Sequence, residues 1–286
     1  MKLNSLFLLI GIATTSFLNA CGGGGGTGSE SPVTTTPSVS AITIGKVVYK
    51  KGATFTVTGE NLHSGITANA IGCSGLAEQP GGTDTSRIYS CVPWFPKDFL
   101  FTISASAGGT TLKQISVPVP LPQVTLVTSM GTIVVELRPD RAKATVDNFL
   151  QYVNDGFYDN TIFHRVVSGF VVQGGGYSVG QTTLKPTRDP IILEAPSTTG
   201  LSNIQGAIAM ARTTGLNSAT SQFFIDTVDN RALDSNADPG AYAVFGSVIQ
   251  GMDIVKAIEI IAVDSSSWPT TEVIVTSAKQ TDTVNK

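Results

Sequence analysis

Residues 158–175 read Tyr-Asp-Asn-Thr-Ile-Phe-His-Arg-Val-Val-Ser-Gly-Phe-Val-Val-Gln-Gly-Gly. Ile162, Val166 and Val167 make a β-rich run, Ser168-Gly169 supplies a turn, and Phe170 to Val172 resumes extended character before three glycines, Gly174 to Gly176, end it. Two short strands therefore carry His164, Arg165, Phe170 and Gln173. If the strands are neighbours, the two-residue side-chain period puts Arg165 and Gln173 on one face beside the Phe170 ring. The result is a cationic fork next to an apolar floor.

This stretch resembles the signature of cyclophilin-type peptidyl-prolyl isomerases, with its Phe-His-Arg, apolar pair, Phe and Gln in the family spacing and without a gap. Two further blocks follow in the family order. One is Gly206, Ala209-Met210-Ala211-Arg212 and Ser221-Gln222-Phe223-Phe224-Ile225; the other is Val244-Phe245-Gly246 with Gly251-Met252-Asp253-Ile254-Val255. The resemblance extends from about Val124 to Ser277 and implies a closed eight-stranded β-barrel with two capping helices. It also implies roles: Arg165 as catalytic arginine, Gln173 holding its guanidinium, and Phe170, Val171, Phe224 and Leu233 gripping a proline ring. Ala211, Arg212 and Gln222 would hold the flanking peptide, while His164 and Tyr242 would line or support the pocket. No cofactor or metal is implied.

The chemistry suits those residue types. Rotating a peptide bond meets a barrier of about 18–20 kcal/mol because the nitrogen lone pair is shared with the carbonyl. In the twisted state that lone pair is free, so a donor aimed at the nitrogen favours the transition state over the ground state. A guanidinium is always charged and offers its donors in a planar fork. Removing about 7 kcal/mol from the barrier accelerates rotation roughly 10⁵-fold. No proton has to be shuttled, so His164 is not assigned an acid–base role. Read without the resemblance, Arg165 and Gln173 are also consistent with a solvated polar pair on a strand.

The 286 residues carry a net charge of -3 and no basic run, which argues against a nucleic-acid partner. Residues 1–20 hold Lys2, the apolar run Leu6 to Ala13 and then Leu18-Asn19-Ala20 before Cys21. That is an export signal, too short to span a bilayer. Leu18 to Cys21 resembles a bacterial lipobox, which implies a lipidated Cys21, a membrane anchor and, since Gly22 is not aspartate, an outer-membrane protein facing the periplasm. Ordinary secretion with a free cysteine is the other reading. Cys73 and Cys91 remain as an even pair in an oxidising compartment and are expected to form a disulfide that adds roughly 3 kcal/mol. A metal site formed by these two cysteines with His63 is the rival reading.

Residues 21–40, with five consecutive glycines, have too little apolar surface to fold and read as a tether. From residue 41 to 118 the pattern becomes short β runs: Ile42–Tyr49, Ala53–Thr58, Ile66–Ile71, Arg87–Cys91, Phe99–Ser104 and Thr111–Val117. Six strands at this spacing predict a small β-sandwich, loosely similar to immunoglobulin-like domains, with Trp94 in its core or against its disulfide, a binding aromatic being the other reading. Its role is a spacer or a binding module. Residues 119–123 form a proline-rich linker, and 124–279 the isomerase-like domain. Within the latter, Val124–Val127 and Thr132–Leu137 predict a hairpin. Helices are predicted through Val146 to Val153 and from Met252 to Ile261. The chain as a whole is therefore mainly β.

The sequence departs from the family at the pocket rim, with Ala232 in place of an aromatic residue, Tyr242 in place of histidine and Arg212 in place of asparagine. The reading is a monomeric isomerase acting on proline-containing polypeptides of the envelope. The alternative is a proline-peptide binding module or holdase chaperone with little turnover.

Overall fold

Alternating apolar and polar residues in the first half build two facing sheets. The computed structural model describes residues 36–63, 65–235 and 240–281. The export signal, Cys21 and the tether as far as Thr35 lie outside the described residues. Seven strands come first among those described: β1 (Ser38–Val48), β2 (Gly52–Glu60), β3 (Ile66–Ile71), β4 (Cys73–Gln79), β5 (Ser86–Pro93), β6 (Phe99–Ala105) and β7 (Thr111–Val117). One sheet has the order β1-β2-β5-β4 and the other β3-β6-β7. Phe55, Val57, Tyr89, Phe99, Phe101 and Ile103 point between them and form one buried cluster, with Phe55 stacked on Phe101 at 4.2 Å.

Three expectations need correction here. The seventh strand, β4, was not expected: Cys-Ser-Gly-Leu-Ala-Glu-Gln contains no β-branched residue, and it is held as an edge strand by β5 alone. β1 begins at Ser38, inside the stretch read as tether, because Ser38 and Val39 already pair with Glu60 and Gly59. Trp94 is not core; it is 45% exposed and its ring meets that of Phe95 edge-on at 5.7 Å, because the amides of both residues turn back to the Gly72 carbonyl beyond the end of β5. The cysteines do pair, Cys73 with Cys91, linking β4 to β5. The metal reading thereby loses its sulfur ligands.

Eight further strands close into a barrel: β8 (Gln123–Thr128), β9 (Gly131–Leu137), β10 (Thr161–Val167), β11 (Val171–Ser178), β12 (Ala207–Met210), β13 (Phe223–Asp226), β14 (Val244–Gln250) and β15 (Val273–Thr281). Their order is β10-β11-β13-β12-β14-β9-β8-β15, with β15 pairing back to β10. Closure leaves no free sheet edge. Helix α1 (Lys143–Asn154) buries Val146, Phe149, Leu150 and Val153 in the barrel core. A single turn, α2 (Pro196–Thr199), lies in the long connection between β11 and β12. Helix α3 (Met252–Glu259) inserts Val255 and Ile258 into the same core and stops two residues short of the predicted end, where Ile260 is 77% exposed.

Helix α1 has alanine at its N-cap and no acidic residue in its first turn. Its cap comes from far along the chain instead: Glu194 accepts the amides of Ala144 and Thr145 and the Thr145 hydroxyl, at 3.2, 2.8 and 2.7 Å. A carboxylate there satisfies orphan donors and complements the positive end of the helix dipole.

Candidate active site

The hairpin from β10 to β11 brings the first candidate residues together. Its register makes Arg165 and Gln173 direct cross-strand partners. Gln173 in turn pairs with Phe224 on β13, Phe224 with Ala209 on β12, and Ala209 with Val244 on β14. Arg165, Gln173, Phe224, Ala209 and Val244 thus form one row across five strands. Its polar end is the arginine and its apolar end the valine.

Above that row lies a cavity of about 250 Å³ lined by Arg165, Phe170, Val171, Gln173, Ala211, Arg212, Phe224, Leu233 and Tyr242. This is smaller than a typical drug-sized pocket and of a size for one ring and its neighbours. Arg165 Nη1 donates to Gln173 Oε1 at 3.3 Å, and Gln173 Nε2 donates to Gln222 Oε1 at 3.0 Å. The guanidinium sits 5.9 Å from the Phe170 ring centre. Val171, Ala207, Ala209, Phe224 and Val244 form a buried apolar cluster beneath, against which Phe170, Leu233 and Tyr242 pack. Because Phe223 and Ile225 point the other way into the barrel core, β13 is buried on both faces.

Two glycines after Gln173 allow this packing. Gly175 has φ +82°, a left-handed conformation. A Cβ on Gly176 would lie 2.9 Å from Gln222 Cγ and Cδ, so a side chain there would displace the glutamine that holds Gln173.

At the rim the Tyr242 ring meets Phe224 edge-on at 5.6 Å, and the Arg212 guanidinium lies 4.5 Å from its centre. Arg212 Nε also donates to the Ala241 carbonyl at 3.0 Å. The departures from the family pattern therefore support each other, Tyr242 being clamped by Arg212. Ala232 is exposed and is absent from the lining. The Ala211 amide donates to the Gln222 carbonyl at 2.9 Å, so that amide is not available to a bound peptide.

His164 lies behind the cavity lining, its ring hydrogen-bonded to Gln222, the residue that holds Gln173. A β-bulge falls between Phe163 and Arg165, which pair with the consecutive residues Gly174 and Gln173. His164 is the extra residue. It is buried, 4.6 Å from the Tyr177 ring and 5.9 Å from that of Trp268, and is not among the cavity-lining residues. Burial outweighs the Gln222 hydrogen bond and pulls its pKa down to about 4, so at neutral pH it is uncharged.

Sequence reasoning missed the supports behind the walls. Gly169 donates to Glu259 Oε1 at 2.7 Å, tying the hairpin turn to α3. The Phe170 carbonyl accepts both the Thr227 amide at 3.0 Å and Asn230 Nδ2 at 2.9 Å. Two roomier depressions, of about 930 and 850 Å³, lie elsewhere, beside α1 and beside the end of β15. Neither contains a residue of the Arg165 row.

The comparisons with known proteins place the barrel in a family. Residues 123–280 match the family model described as "Cyclophilin type peptidyl-prolyl cis-trans isomerase/CLD". The chain is a cyclophilin-type isomerase. Peptidyl-prolyl cis-trans isomerase B of Escherichia coli is 45% identical over 161 residues, covering 54% of this chain and 96% of the relative. Peptidyl-prolyl cis-trans isomerase A of Dickeya dadantii is 44% identical over 160 residues, covering 54% of this chain and 83% of its own. A solved cyclophilin-type isomerase of Cryptosporidium parvum, crystallised in the presence of the dipeptide Ala-Pro, covers 56% of this chain and 99% of its own at 27% identity and a TM-score of 0.48. The cyclophilin match takes in the barrel and stops at residue 123, where β8 begins. The β-sandwich lies outside it.

Proposed function

We propose that Arg165 is the catalytic donor of this cyclophilin and that the cavity over Phe224 is the proline site. The reading is carried by the row Arg165–Gln173–Phe224. It puts a guanidinium, already oriented by one hydrogen bond to Gln173, beside a cavity whose apolar wall is Val171, Phe224 and Leu233 and whose size suits a proline ring. A proline seated against Val171, Phe224 and Leu233 presents its amide bond toward the guanidinium. As the amide twists, its nitrogen regains a lone pair, and an arginine N–H gains an acceptor that the planar ground state lacks. Gln173 and Gln222 pre-pay the orientation of that donor. The substrates on this reading are X–Pro bonds of polypeptides.

Lys2, the apolar run before Ala13 and Leu18 to Cys21 support export and lipidation of Cys21, and hence clients in the cell envelope. The β-sandwich then serves as a spacer between anchor and barrel. The protein works as a monomer and needs no metal or cofactor for the chemistry described.

The test compares isomerisation of an Ala-Xaa-Pro-Phe peptide by the full chain and by Arg165→Ala. Acceleration by the wild type and a fall of kcat/KM by about 10²–10³-fold in the variant are the expected results, that being the usual loss when a single transition-state donor is removed. A folded wild type that binds the peptide without accelerating its exchange moves the chain to the binding-module reading. Labelling with a radioactive fatty acid that survives Cys21→Ser would dispose of Cys21 as the anchor, and an unlabelled wild type would dispose of the anchor itself.

A further inference from the structure

One buried carboxyl lies behind the proline pocket and touches none of its contents. Asp226 follows Phe224 by two residues on β13 and so shares its face, opposite Val171 on β11. It is fully buried. Its Oδ1 accepts Asn230 Nδ2 at 2.7 Å, and the same amide nitrogen donates to the Phe170 carbonyl at 2.9 Å. The Asn230 amide N–H donates to the Asn203 carbonyl at 2.8 Å. Its carbonyl accepts the Leu233 amide at 2.8 Å, and the Leu233 carbonyl accepts that of Tyr242 at 3.0 Å. Three cavity-lining residues, Phe170, Leu233 and Tyr242, are therefore tied to Asn230, and Asn230 is tied to Asp226.

From this linkage we infer that Asp226 is a positioning residue, whose carboxyl fixes Asn230 and through it the separation of the Phe170 and Leu233 walls. The inference rests on reading the cavity as the proline site.

The protonation state of the carboxyl decides how well it does so. Asp226 Oδ2 is buried and has no hydrogen-bond partner among the described residues. The charged groups around it are mostly acidic. Asp229 and Asp234 lie on its own connection, the latter engaged by Ser202 and by Asn203 at 2.7 Å. Arg231 is exposed; it pairs with Asp229 at 4.0 Å and donates to the Ser202 hydroxyl at 3.3 Å. From α3, Glu259 faces Gly169 and is paired with Lys256 at 2.9 Å. On β10, Arg165 stands one row away, bonded to Gln173. Burial and the two neighbouring carboxylates outweigh the Asn230 hydrogen bond and push the pKa up to about 7. Below that pH the acid is neutral and is not repelled by its acidic neighbours. Above it, an anion with one unbonded oxygen is repelled by Asp229 and Asp234, and residues 229–235 move outward and take Asn230 and Leu233 with them.

The test measures kcat and KM of the full chain on an Ala-Pro peptide from pH 6 to 8.5 by exchange NMR, which needs no coupling protease. In the wild type KM rises about fivefold with a midpoint near 7 while kcat changes less than twofold, within what a sub-ångström displacement costs. Asp226→Asn, an isostere of the neutral acid, keeps the wild type's pH 6 value throughout. His164 does not contribute in this range, its pKa being about 4. A flat wild-type profile, or the same rise in Asp226→Asn, overturns the inference. Should the variant fail to fold, the carboxyl carbon shift of Asp226 in the wild type must titrate together with the Leu233 methyl shifts; indifferent methyls overturn the inference equally. Absence of isomerisation at every pH, by contrast, would count against the isomerase reading itself.

Discussion

His164 and Asp226 are buried titratable residues whose pKa shifts oppose each other. Burial holds His164 down to about 4 from an ordinary 6.5, so between those values the unfolded chain binds a proton that the folded one refuses. Stability from this residue is lost as pH falls through that window. Asp226 is held up to about 7 from 3.8, so the folded chain keeps a proton the unfolded one has released. Stability from this residue is lost as pH rises. Over the shared window, pH 4 to 6.5, the two slopes are each about 1.4 kcal/mol per pH unit and of opposite sign, so the pair contributes almost nothing to the pH dependence. Asp226→Asn removes one side of the balance. Urea unfolding at pH 4.5, 5.5 and 6.5 should therefore show the variant gaining stability with pH more steeply than the wild type, by about 1 kcal/mol per unit. Parallel curves would show that Asp226 titrates normally in the fold.

At the scale of elements, the β10–β11 hairpin was legible because its whole logic is local. Arg165, the turn at Gly169 and Gln173 lie within nine residues, and period two brings the pair together once the strands meet. The bulge was not legible, because nothing in Phe-His-Arg says that one residue will be left over, and it is the bulge that leaves His164 outside the cavity lining. Edge strand β4 lacked β-branched residues and is defined by its partner and its disulfide. The pocket supports from Asn230 and Glu259 join residues 60 and 90 positions apart, beyond the reach of any local pattern. The cap of α1 has the same character, since Glu194 is 49 residues from Thr145. Alanine in place of Glu194 leaves two first-turn amides and a buried hydroxyl without their acceptor, and should cost about 1–2 kcal/mol. Hydrogen exchange should then accelerate first at Val146 to Phe149. Uniform acceleration over the barrel, without a local excess, would argue against a capping role.

At the scale of the molecule, the sandwich and barrel meet through the turn that joins β1 to β2. Tyr49 from that turn is 1% exposed and belongs to the barrel's core cluster rather than the sandwich's. Its hydroxyl donates to Asp147 on α1 at 2.8 Å, and its carbonyl accepts Gln280 Nε2 on β15 at 2.9 Å. Lys50 pairs with the same Asp147 at 3.0 Å, and Lys51 Nζ reaches the Gln280 carbonyl at 3.3 Å. Desolvation and Asp147 raise the tyrosine's pKa well above 10, so its hydroxyl remains a donor at every pH at which the fold is stable. Tyr49 is thus an aromatic plug that couples the two cores, together with Val119, which packs against both clusters. Tyr49→Phe removes a single hydrogen bond and should cost about 1 kcal/mol, leaving one unfolding transition. Tyr49→Ala also vacates the plug, at a cost of about 3–5 kcal/mol, and should divide that transition in two. The sandwich, closed by the Cys73–Cys91 disulfide, and the barrel would then melt independently, the barrel recognisable by the loss of isomerase activity. Calorimetry with activity sampled along the melt separates the cases, and a single transition retained in Tyr49→Ala would show that the coupling lies elsewhere in the junction.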